Sequence, residues 1–268
     1  MRSSHGFRPI QSLERGLRVL DLLMNGGSRL GVSELARTLG LSKAVVFRIL
    51  RTLERHGYVV REEDRRYRLG TKPLELASAV LRQFEVRQVA WPTMLSLAER
   101  TGESVVLTAP GPDGVICLDT VDSPQQLRVS FRVGRVTPWH AGAAGKLHLA
   151  FLPQERTREI LSRGLPRYTE RTVTDPAVLL QELDRIRQQG YAFTIGELDP
   201  GVAAITAPIR DARGAVIAAI SIGGPASRFT EERLPALIQE VLSAAEEISL
   251  RLLGGRWQPQ GSAESVSE

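Results

Sequence analysis

The segment Gly142-Ala143-Ala144-Gly145-Lys146 invites comparison with a phosphate-binding loop, whose backbone N–H groups cradle phosphates and whose lysine reaches the outermost one. His140 stands where the first glycine of that spacing belongs, and Leu147 replaces the Ser or Thr that would hold magnesium, which excludes that chemistry. His140 and His148 lie eight residues apart and read as structural. There is no Gly-x-Ser-x-Gly nucleophile elbow, and no His-x-x-x-His or His-Glu-x-x-His spacing. Cys117, the single cysteine, allows neither an internal disulfide nor a multi-cysteine zinc site, and within Val115-Ile116-Cys117-Leu118 it reads as a buried strand residue. These features argue against an enzyme, a cofactor and a metal. A small-residue loop beside apolar strands suits a pocket for a small molecule instead.

The other chemistry the residues offer is anion binding. The chain carries a formal charge of +5, but its first 70 residues hold 14 Lys+Arg against 7 Asp+Glu, and the rest holds 21 against 23. All the positive charge therefore sits in one quarter of the chain. Nucleic acid is the usual partner of such a head, and a solvated basic surface is the alternative.

The elements that would position those cations are helical. Leu13, Leu17, Leu20 and Met24 form an apolar stripe on a first helix, which Asn25-Gly26-Gly27 ends. Ser33 is placed to cap a second helix through Leu39, and Ser42 a third helix running to about His56. Counting from Val32, Ala36 is fifth, Gly40 ninth, Val46 fifteenth and Ile49 eighteenth, the spacing of a helix-turn-helix over 32–51. The fifth position must be small where the helices cross, and the ninth favours glycine where the turn needs positive φ. An ordinary helical hairpin meets the same packing demands. Tyr58–Arg61, a polar turn at Glu62–Arg65, and Arg66–Leu69 then read as a β-hairpin, which makes the motif a winged helix.

With Val45, Val46, Ile49, Leu50 and Leu53 facing inward, the outward face holds Ser42, Lys43, Ala44, Phe47, Arg48, Arg51 and Arg55. Lys43, Ala44, Phe47 and Arg48 are placed to meet base edges or phosphates in a major groove, and Ser42 to donate to a phosphate. Arg65, Arg66 and Arg68 on the wing face a backbone or minor groove, or else form a solvated tip. Two readings of Phe47 stand: it lies on thymine methyls, or it completes the core.

The body is expected to be α+β around an antiparallel sheet. A linker helix over 71–87 carries Leu74, Ala77, Leu81 and Phe84 as its stripe. Ser104–Ala109 and Val115–Val121 pair across Pro110-Gly111-Pro112-Asp113-Gly114, and Leu127–Val133 alternates as a half-buried strand. Helices are expected at Ala143–Phe151, Ala177–Gln189 and Glu231–Leu253, with strands at Tyr191–Ile195, Val202–Arg210 and Ala215–Ile222. The domain spans 88–254, the winged helix 10–70, and 255–268 has the composition of a disordered tail. Without a membrane-length apolar run or an apolar N-terminal segment, the cytoplasm is the expected compartment.

From about Ser12 to Leu253 the chain resembles the IclR family of bacterial transcriptional regulators. The residues that carry the resemblance are Ser12-Leu13-Glu14-Arg15-Gly16-Leu17, Leu41 through Leu50, His140 through Lys146, and Gly190 through Glu197. Gly201-Val202, Ala207-Pro208-Ile209 and Ala219 through Pro225 complete the match. The resemblance implies a GAF-like effector domain joined by a helix to the winged helix. It also implies dimers that can pair into tetramers on operator DNA, and repression as the commoner habit. The pocket positions it implies are Val129, Ala143, Ala144, Thr194, Val202, Ala204, Ser221 and Gly223. Relatives that bind small keto acids tend to place Asp, Cys and Ser where this chain has Thr194, Ala204 and Gly223, so the expected effector is a more apolar, aromatic acid. Two rival readings stand beside it: an enzyme whose head only localises it, and a structural DNA-binding protein without an effector.

Overall fold

A computed structural model describes residues 9–25, 29–81 and 85–253. The expected tail at 255–268, Gly26 and Gly27 after the first helix, and Phe84 of the linker stripe lie outside them. The chain divides into two compact units, Met1–Gln83 and Phe84–Glu268.

The first unit is built on α1 (Gln11–Asn25), α2 (Val32–Leu39) and α3 (Lys43–Arg55), followed by β1 (Val59–Arg61) and β2 (Tyr67–Leu69) and then α4 (Lys72–Leu81). Its core joins Val19 and Leu23 to Leu35, Ala36, Leu39, Val46, Leu50, Val59 and Tyr67. Ala36 lies at the α2–α3 crossing, and Gly40 takes φ 66°, where glycine escapes the penalty of a Cβ. Ser42 caps α3 by accepting from the Val45 amide at 3.4 Å. Two expectations give way here. Ser33 lies inside α2, whose cap is Gly31, and the Glu34 carboxylate accepts from the Gly31 amide at 3.4 Å. On α1 the inward face centres on Val19 and Leu23. Leu13, Leu17 and Met24 are more than half exposed, because that helix turns its 19/23 edge, not the 13/17/24 edge, to the core. Leu13 and Leu17 instead line an open groove with Leu20, Val45, Ile49, Leu53 and Tyr58.

The wing is a short antiparallel pair, Val59 opposite Leu69 and Arg61 opposite Tyr67. Leu30 adds a bridge to Tyr67 through two backbone bonds of 3.0 and 2.9 Å. In the turn, the Arg65 amide donates to the Glu62 carbonyl at 3.0 Å and the Glu62 amide to the Arg66 carbonyl at 2.8 Å. Closing it this way puts Arg65 at φ 64°, the only non-glycine residue with positive φ among the described residues. A side chain there costs on the order of 1 kcal/mol relative to glycine.

The second unit opens with α5 (Glu85–Thr101), where the linker helix was expected to end at 87. It buries Val86, Ala90, Met94, Leu97, Ala98 and Thr101 at helical spacing and keeps Pro92 on its exposed side. A six-stranded antiparallel sheet follows, in the order β5 (Val136–Thr137), β4 (Val115–Val121), β3 (Ser104–Pro110), β8 (Val216–Pro225), β7 (Val202–Arg210), β6 (Ala192–Ile195). The remaining helices are α6 (Ala143–Phe151), α7 (Gln154–Ser162), α8 (Pro176–Gln189) and α9 (Leu234–Leu253).

Alternation along the strands assigns the two faces. Val105, Leu107, Ala109, Ala203, Ile205, Ala207, Ile209, Ala218, Ile220 and Ile222 pack on α5 and α9 in one hydrophobic core. Their neighbours, Val106, Thr108, Ala204, Thr206, Ala219 and Ser221, face the other way, where α6 and α8 bring Leu147, Leu149, Leu179, Leu183 and Ile186. The 127–133 segment, expected as a strand, is irregular; regular pairing returns only at β5. Its alternation reflects a loop laid over the sheet, with Phe131 inward and Arg132 exposed.

Candidate nucleic-acid interface and ligand pocket

On α3 the residues with reach toward a partner are solvent-facing: Ser42, Lys43, Ala44, Phe47, Arg48 and Arg51 are all exposed. Phe47 is 45% exposed, so it does not complete the core. Among the described residues Lys43 and Arg48 have no carboxylate partner, whereas Arg51 is paired with Glu54 at 3.1 Å. On the wing, Arg68 is paired with Glu62, and Arg66 lies 3.9 Å from Asp64. Arg61, Arg65 and Arg66 line one surface notch together with Phe47 and the start of α2.

The pocket of the second unit lies on the α6 face of the sheet. Ala143, Ala144, Thr194, Val202, Ala204 and Ser221 line it, together with Val106, Thr108, Cys117, Phe131, Thr137 and Thr206. Val129 does not: its carbonyl accepts from the Ser104 hydroxyl at 2.7 Å. Gly223 is not part of the lining either. A Cβ on Gly223 would stand 2.7 Å from the Phe131 ring, so the missing side chain is what lets that ring lie on the sheet. The next residue does the same for a charge, since a Cβ on Gly224 would meet the buried Glu103 carboxylate at 2.2 Å. Glu103 is held there by Arg228, with bonds of 2.7 and 2.5 Å.

The floor is hydroxylic. Thr206 and Ser221 bond each other across β7 and β8 at 2.8 Å, and Thr108 bonds the His148 ring at 3.2 Å. Burial pushes His148 down to about 4, so its ring is neutral at physiological pH. His140 is likewise buried, with Nε2 2.8 Å from the Pro166 carbonyl. Burial, reinforced by Asp119, raises the Cys117 thiol to about 11, which keeps it an inert wall of the pocket. At the mouth, Arg135 pairs with Asp199 at 3.4 Å.

Lys146, which the sequence places in a phosphate-loop look-alike, is 2% exposed and already spent. Its ammonium donates to Glu182 at 2.6 Å and to Glu197 at 2.5 Å. Glu197 in turn accepts from the Gly142 amide at 3.2 Å, at the start of α6. Burial raises the Glu197 carboxyl and the lysine opposes that shift. The triad pins the loop that forms one wall of the pocket. That wall is tight: a Cβ on Gly145 would fall 2.1 Å from the Pro138 carbonyl.

Sequence reasoning missed Phe131, Thr206, Thr108, Arg135, Glu197 and Asp199 as lining residues. For Thr206 the signal was available, since it lies two residues beyond Ala204 on an alternating strand and shares its face.

A winged helix whose α3 opens with cations that have no carboxylate partner among the described residues, in one chain with a domain holding a small-molecule pocket, defines a DNA-binding transcriptional regulator. Family models extend the definition: the IclR helix-turn-helix domain matches residues 12–63, and the bacterial transcriptional regulator IclR C-terminal domain matches residues 78–250. The chain belongs to the IclR family, whose members are transcriptional regulators and not enzymes. It is 36% identical over 253 residues to the glycerol operon regulatory protein of Streptomyces griseus, covering 93% of this chain and 99% of that one. With the transcriptional repressor IclR of Escherichia coli it shares 32% identity over 252 residues, 92% of each chain. An IclR homolog from Microbacterium hydrocarbonoxydans, crystallised with 4-hydroxybenzoate, superposes with a TM-score of 0.78 at 29% identity. That match covers 91% of this chain and all of the other. No helix among the described residues is long and apolar enough to cross a membrane.

Proposed function

We propose that the chain is a repressor whose grip on operator DNA is set by a small aromatic acid. Residues 10–70 serve as the DNA-binding domain, 71–87 as the connection and 88–254 as the effector-binding domain. Ser42, Lys43, Ala44, Phe47 and Arg48 meet the major groove, with Arg51 on phosphate and Arg65, Arg66 and Arg68 on the wing side. The protein acts in the cytoplasm as a homodimer or a dimer of dimers. The exposed Leu13 and Leu17 of α1 are apolar surface of the kind a second copy covers.

The observation that carries the effector class is Phe131 lying over Gly223 in a pocket whose deep polar groups are hydroxyls. Ala143, Ala144, Thr194, Val202, Ala204 and Ser221 frame the site, Gly223 acts through Phe131 and Val129 stays outside it, and the neighbour bound to 4-hydroxybenzoate supports the same ligand class. The cavity measures about 80 Å³, against the roughly 150 Å³ in which an engineered apolar cavity takes benzene. A one-ring acid therefore enters as the Phe131 ring moves aside. For the ligand to change operator affinity, it must bind the operator-bound and free states unequally.

Thermal shift and calorimetry with 4-hydroxybenzoate, benzoate, glyoxylate and a small dicarboxylate test this, alongside operator release. The aromatic acids should raise the melting temperature and weaken operator binding. Tight binding of the dicarboxylate or glyoxylate with none of the aromatic acids overturns it.

A further inference from the structure

Arg65 stands where the backbone asks for glycine. The turn between β1 and β2 is closed by the Glu62–Arg65 and Glu62–Arg66 backbone bonds, and that closure imposes φ 64° at Arg65. Ten glycines among the described residues take positive φ, and Arg65 is the one side-chain-bearing residue to do so. A long cation kept at such a position points to a use for the cation.

Ion pairing separates Arg65 from its neighbours. Arg68 is held by Glu62 and also donates to the Leu69 carbonyl at 3.1 Å, and Arg66 lies beside Asp64. Among the described residues Arg65 has no carboxylate partner. Arg61 has none either, but it sits in ordinary strand backbone on β1. Arg65 is exposed, and it lines the same notch as Phe47 of α3. The wing tip and the outward side of α3 thus share a surface within one compact unit.

We propose that Arg65 is the wing's DNA-contacting residue, the one cation of the three at 65, 66 and 68 left free to bind a phosphate or enter a minor groove. This rests on the reading that the wing touches DNA. Arg68 is held by Glu62, and Arg66 is partly screened by Asp64 at 3.9 Å across an exposed pair. Releasing either for DNA would first cost its internal pair.

The test uses full-length protein and a duplex enriched by the wild-type chain from a randomised library. Arg65→Gly suits the backbone and removes only the cation. It should melt at or slightly above the wild-type temperature, lose about tenfold in affinity and flatten the dependence of log K on log salt by about one. Arg66→Ala and Arg68→Ala should each lose less. Replacing flanking A·T pairs by G·C separates the two sources: a contact in the minor groove makes the Arg65→Gly loss depend on the flank, and a phosphate contact makes it independent. Wild-type affinity and salt slope in Arg65→Gly, with a loss in the triple variant lacking Arg65, Arg66 and Arg68, overturns the assignment and leaves the wing as a contact. An unchanged triple variant overturns both.

Discussion

Lysine occurs at three positions in this chain, and two of them show the same charge put to opposite ends. Lys43 opens α3 exposed and, among the described residues, without a carboxylate partner, whereas Lys146 is buried between Glu182 and Glu197. In the first unit, cations without a carboxylate partner among the described residues keep their charge available to a polyanion at little cost to folding, because water solvates them. In the second, a buried ammonium is tolerable only with its partners in place. A charge left open is a binding device, and a charge closed on itself is a structural clamp.

The largest effect should come from opening the clamp. Lys146→Met leaves the partly buried Glu197 carboxylate without its cation, which should cost about 3 kcal/mol or more in denaturant unfolding. Adding Glu197→Gln should recover part of that loss, and an unperturbed single variant would show that the triad is not a clamp. Next is the neutral His148 against Thr108. Its folded value of about 4 lies below the ordinary 6.5, so the unfolded chain takes up the proton first. Its contribution is complete above pH 6.5 and should decline by about 3 kcal/mol as pH falls from 6.5 toward 4. His148→Gln should flatten that slope, and an unchanged slope would assign the acid sensitivity elsewhere.

At the open end of the comparison, the double variant Lys43→Ala/Arg48→Ala should weaken operator binding by ten- to a hundredfold, with roughly that range set by two contacts. The salt slope should fall by about two while the melting temperature holds. A drop in melting temperature would mean that these cations also support the fold. The smallest effect belongs to the pocket: Gly223→Ser drives a side chain into the Phe131 ring and should cost about tenfold in affinity for an aromatic acid, read by calorimetry. Retained affinity would remove Phe131 from ligand selection.

Much of this was legible in the chain itself, and the misses have causes. The helix-turn-helix was readable because Ala36 and Gly40 each answer a steric demand that few residues meet. The Ser42 cap was readable for the same local reason. Ser33 was misplaced because Gly31 and Glu34 supply the cap by another route. Helix α5 hid behind Pro92 and a weakly amphipathic pattern, and its identity rests on tertiary packing against α9 and the sheet. Leu127–Val133 has the alternation of a strand, but a period of two records only which side chains turn inward, and a loop over a sheet has an inside as well. Pairing decides the difference, and pairing is not local. The same limit applies to Phe131, whose place in the pocket depends on a glycine 92 positions further along the chain.

The burial of Lys146 also makes the protein a reporter of its own state under amine-directed labelling. Apart from the chain's own amino terminus, a lysine-specific acylating reagent has three targets. Lys43 should acylate readily and be protected by bound DNA. Lys72, bound to Glu75 at 2.6 Å but partly exposed, serves as the internal reference. Lys146 should react only in molecules whose effector domain has opened, so its modification rate clocks that opening while Lys43 records occupancy of the operator.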